Sequence, residues 1–93
     1  MKYEEMNFKR RTSFNLILGI LRRQIRWGRE FSQRDKEQIK TMLNKQAQEY
    51  QILKTETYLD LKTIIQHKQT KGEYNQEVAD KLLNLFKEVL EIE

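Results

Sequence analysis

Cysteine and proline are absent from the 93 residues, and glycine occurs only three times. Without cysteine there is no disulfide framework and no thiolate ligand or nucleophile, a composition that suits a reducing cytoplasm. Without proline, no position is barred from a helix interior. The single histidine, His67, has neither a second histidine nor a cysteine to complete an ordinary zinc site. It reads instead as part of a polar helical turn. No glycine loop for phosphates, no dinucleotide fingerprint and no nucleophile elbow occurs. Glu56 with Asp60, and Glu73 with Glu77 and Asp80, are carboxylates at one-turn spacing. They lie among Lys and Thr and read as solvated surface, because acid–base pairs need burial or a third converging group. The longest apolar run, Leu16 to Leu21, is far shorter than the roughly 20 residues that span a bilayer. Glu4, Glu5, Lys9, Arg10 and Arg11 interrupt any secretion signal. The expectation is a cytoplasmic protein that is not an enzyme and uses no cofactor, metal or small-molecule substrate.

What remains is Lys, Glu, Gln and Leu in quantity, side chains that lose little rotamer freedom in a helix. Residues 1–93 fit a single all-helical domain. The fold expected is a small all-α helical bundle. It has three helices, with a long central helix and short helices antiparallel to it. Helices are predicted over about 13–28, 33–70 and 75–92, with 1–11 as an arm whose Tyr3, Met6 and Phe8 show no clean period. Thr12 or Ser13 can cap the first helix. Phe14, Ile17, Leu18, Leu21 and Ile25 make one apolar strip on it, and Leu16, Ile20, Trp27 and Phe31 make a second beside it. Both strips are expected to cover the central helix, which places Trp27 in the core. Gly28 can end this helix in the left-handed conformation, and Gly19 within it suggests a close approach by another helix.

The central helix opens at Ser32 with Asp35 three residues on, a capping box in which Asp replaces the usual Glu or Gln. Its terminator is Gly72. Over 33–70 it would be about 55 Å long. Ile39, Met42, Leu43, Ala47, Tyr50, Leu53, Leu61, Ile64 and Ile65 share one face, while Ile52 and Leu59 fall opposite. A second copy packed at Ile52 and Leu59 would cover that opposite strip and make a homodimer. The alternative is a break near Thr55–Thr57, folding the chain into a four-helix bundle. The last helix has the clearest pattern. Asn75 caps it, and Val78, Leu82, Leu85, Val89 and Ile92 recur at alternating four and three.

Charge is the functional signal. The overall charge is +4, but the residues up to Lys36 carry +6 and the rest −2, and every arginine lies at or before Arg34. Guanidinium forks onto phosphates and carboxylates in a way that the ammonium of Lys does not. Arg22, Arg23, Arg26 and Arg29, with Arg34 and the Arg10–Arg11 cluster, therefore form the candidate site. Their first expected partner is nucleic acid or a nucleoprotein complex, contacted through phosphates. The alternatives are an acidic host protein bound by an inhibitor, immunity or adaptor protein of phage or plasmid type, and an anionic membrane surface.

Overall fold

A computed structural model describes residues 3–92. The first two residues of the expected arm lie outside that range, as does the last residue of the chain. After a 3-10 turn at Tyr3–Glu5 the chain forms α1 (Phe8–Arg26), α2 (Gln33–Glu49), α3 (Lys54–Thr70) and α4 (Gln76–Val89). The described residues thus form an all-helical bundle of four helices rather than three.

The difference lies in the expected central helix, which breaks at residues 50–53. The longest dimension of the molecule is 32 Å, too short for a helix of about 55 Å. The break falls just before Thr55–Thr57, where the β-branched residues had suggested one. Its signature is a Schellman motif. The N–H of Ile52 bonds the carbonyl of Ala47 at 2.9 Å, the N–H of Gln51 bonds that of Gln48 at 3.2 Å, and Gln51 takes φ 56°. All four helices end this way, with Gly28, Gln51, Gly72 and Glu91 in the left-handed position. Gly28 and Gly72 are where sequence places terminators. Gln51 and Glu91 carry no such mark, because a non-glycine residue is uncommon there.

Helix starts follow the short polar side chains. Asn7 accepts from the N–H of Lys9 at 3.0 Å and of Arg10 at 3.2 Å. α1 therefore begins at Phe8, ahead of the Thr12 or Ser13 cap, and residues 8–11 of the expected arm are helical. Met6 is buried before the cap and anchors the entry. Ser32 and Asp35 form the capping box in full, each satisfying the other's N–H. Asn75 accepts from Val78 N–H at 2.9 Å. These bonds occupy amide donors that have no partner inside the helix.

α3 and α4 form the central pair, and α1 and α2 each pack across both. α4 supplies Val78, Ala79, Leu82, Leu85, Phe86 and Val89 to the core. α1 supplies its first strip, Phe14, Ile17, Leu18 and Leu21. Each of these side chains larger than Ala contributes roughly 1.5–3 kcal/mol by leaving water. Of the second strip only Phe31, beyond the end of α1, packs against this core, while Leu16, Ile20 and Trp27 are exposed. Trp27, expected in the core, is 73% exposed. A helix has room to bury only one stripe, and α3 and α4 take the one with Phe14 and Leu18 at its centre.

Candidate anion-binding face

The seven candidate arginines do not form one cluster. Arg10 turns inward and forms an ion pair with Asp60 of α3. Asp60 is 4% exposed, so it is not the solvated surface carboxylate expected from its neighbours in sequence. Arg11 lies over two rings, 5.0 Å from the centre of Tyr3 and 5.7 Å from that of Phe8. Tyr3 in turn stacks on His67 at 3.7 Å with rings parallel to within 1°. Arg10 and Arg11 therefore fasten the N-terminal segment and α1 to α3. Arg29 lies 3.3 Å from Asp35 in the turn that opens α2. Arg34 sits on the exposed face of α2 and borders a separate depression with Glu37, Met42 and Lys45.

Arg22, Arg23 and Arg26 do come together. They line a groove of about 290 Å³ between α1 and the α3–α4 turn, with Gly19, Glu73 and Tyr74 as the other walls. The local reason is helical spacing: residues three and four apart share a side. Arg22 is placed by Tyr74, whose ring centre is 5.8 Å from the guanidinium carbon. Lys68 approaches the same ring at 5.8 Å and forms an ion pair with Glu73 at 3.7 Å. Burial pushes the Tyr74 hydroxyl above its usual range, with Arg22 opposing that shift and Glu73 adding to it. Among the described residues Glu73 is the one carboxylate lining the groove, against three guanidiniums, and it is already paired with Lys68. An anionic oxygen entering there would meet planar donors suited to bidentate hydrogen bonding.

Sequence reasoning missed three components of this surface. Tyr74 is one, since only the fold brings it to Arg22. Gly19 is the second. It is exposed, and an added Cβ would meet nothing within 4 Å, so no helix of this chain makes the close approach expected of it. The third is the exposed apolar strip of Leu16, Ile20 and Trp27 along the groove's outer side. The available sign was that α1 carried two strips and could bury only one.

Ile52 and Leu59 are not placed as two points on one helical face. Ile52 follows the break and packs against the core of its own chain, while Leu59 is exposed on α3. Among the described residues there is no group of His, Cys, Asp or Glu able to hold a metal ion. Nor is any helix there long and apolar enough to cross a membrane. No family model, curated protein or solved structure matches this chain.

Proposed function

We propose that this chain is a small non-enzymatic binding protein that docks on an anionic partner through the outer side of α1, and that the partner is an acidic protein surface. α1 contains Lys9, Arg10, Arg11, Arg22, Arg23 and Arg26 and no Asp or Glu. Like charges one turn apart, as at Arg22 and Arg26, cost a few tenths of a kcal/mol in a helix. An external anion relieves that cost.

The observation that carries the choice of partner is the exposure of Leu16, Ile20 and Trp27 on the side that bears Arg23. A phosphate track gains nothing from exposed Leu and Ile, whereas a protein interface buries apolar residues at its centre and keeps charge at its rim. Trp and Arg are also the residue types that dominate binding energy at such interfaces. This ranks an acidic protein above nucleic acid, the order opposite to that suggested by charge alone.

The test is capture of partners from host lysate by the wild-type chain and by the Arg22→Ala/Arg26→Ala variant, with and without nuclease. The expected result is a protein retained by wild type after nuclease treatment and lost with the variant. Loss of the captured material on nuclease treatment would make nucleic acid the partner. Equal capture by both chains would show that these arginines take no part.

A further inference from the structure

We infer that the outer strip of α1, formed by Leu16, Ile20 and Trp27 with Arg23 among them, is the seat of an acidic amphipathic helix from a partner protein. The inference rests on the reading of α1 as an anion-directed docking face and specifies what occupies it. Leu16, Ile20, Arg23 and Trp27 are separated by four, three and four residues. That is the spacing of a seam which meets another helix side by side. The seam runs for about 16 Å along α1, or three helical turns. Leu16 is 67%, Ile20 53% and Trp27 73% exposed, so nothing among the described residues covers it.

Charge selects the occupant. A second copy docking α1 on α1 along this strip would bring Arg22, Arg23 and Arg26 of one helix to those of the other, with no acid on either helix. An anionic bilayer would gain little from this strip, because binding of a surface helix scales with the apolar area it buries and only Leu16, Ile20 and Trp27 are on offer. A carboxylate on a facing helix can meet Arg23 in place with two hydrogen bonds. The cations are also one-sided. At about 100° per residue, Gly19, Arg26 and Arg22 all follow the strip on the edge toward the groove, and no cation of the α1 segment Ser13–Arg26 lies on the other edge. The fitting helix therefore carries apolar residues at alternating four and three, with Asp or Glu along one edge only. Gly19 leaves that edge low, so a partner backbone can come close there.

Trp27 is the only tryptophan of the chain and stands in the seam, so its emission reports directly on the seat. The probe is a synthetic helical peptide with Leu at alternating four and three and Glu along one edge. Peptides with Gln or Lys in place of Glu are the controls. The Glu peptide should shift Trp27 emission to the blue and saturate, binding at least about tenfold more tightly than the Gln peptide. Ile20→Glu should weaken it by about tenfold or more, with helix content unchanged because the site is exposed. Arg23→Glu should reverse the preference in favour of the Lys peptide, which mere misfolding could not do. Equal affinity for the Glu and Gln peptides would overturn the inference. So would a Trp27 shift with duplex DNA or phosphatidylserine vesicles but not with the Glu peptide. Either result, alongside lysate capture that still depends on Arg22 and Arg26, would remove the acidic helix as occupant and leave the proposed function standing. Failure of that capture would remove the function itself.

Discussion

Arg10 on α1 and Asp60 on α3, fifty residues apart in sequence, form an ion pair whose carboxylate side chain is only 6% exposed. The pair fixes the upper part of α1 against the central helices. It also withdraws one arginine from the surface available to a partner. Removing one member of a buried pair strands the other charge, at a cost of about 3–5 kcal/mol, while replacing both with apolar groups is often neutral. Asp60→Ala should therefore lower the urea midpoint sharply. Arg10→Met with Asp60→Leu should recover most of the loss. If Asp60→Ala proved as stable as the wild type, this pair would contribute nothing to holding α1.

Gln51 adopts φ 56° where glycine is the usual residue. A side chain in this conformation costs roughly 1–2 kcal/mol, while glycine loses roughly 0.5–1 kcal/mol of extra freedom on folding. Gln51→Gly should leave stability unchanged or raise it by about 0.5 kcal/mol. Gln51→Val, branched at Cβ, should lower it by about 1 kcal/mol or more. Thermal melts of the two variants give the order. A more stable Val variant would mean that the chain leaves the left-handed conformation at this position.

Gly19 lies within α1 with open space where a Cβ would stand. Gly19→Ala should stabilise the free protein by about 1 kcal/mol, as expected for an exposed helix interior. In a domain of this size that raises the melting temperature by roughly 4–8 °C. The same variant should bind its partner less tightly, because the methyl group raises the low edge of the seam. Calorimetry of the free chain and titration with the Glu peptide separate the two effects.

Asp35 links the start of α2 to pH. The N–H of Ser32 donates to its carboxylate at 3.0 Å and holds its pKa below the usual aspartate range. The Ser32 side chain and Arg29 act in the same direction, and desolvation opposes them. A carboxyl group with a lowered folded pKa adds stability above the unfolded pKa, and this is lost as pH falls through the folded value. The wild type should thus lose stability on acidification through and below the carboxylate range. Asp35→Asn should show a shallower loss there and lower stability at neutral pH. Parallel curves of urea midpoint against pH for the two proteins would count against the link.

The sequence alone determined the helical content, four of the five terminal signals it spelled in residue type (the Thr12 or Ser13 cap being the exception), and the buried face of α4. Ser32 and Asn75 cap where short polar side chains can reach amide donors, and Gly28 and Gly72 end helices where a Cβ is unfavourable. Val78, Leu82 and Leu85 enter the core because their spacing puts them on one side of one helix. These are local effects, set within a few residues. Only the tertiary structure decided the break at Gln51. There a non-glycine residue takes a glycine conformation, and Ile52 packs on the core just beyond it. It likewise chose which strip of α1 to bury, leaving Trp27 outside, and it buried Asp60 by bringing Arg10 to it from α1. Each of those outcomes depends on groups distant along the chain. Their packing and electrostatic energies exceed the roughly 1 kcal/mol preferences that residue type records locally.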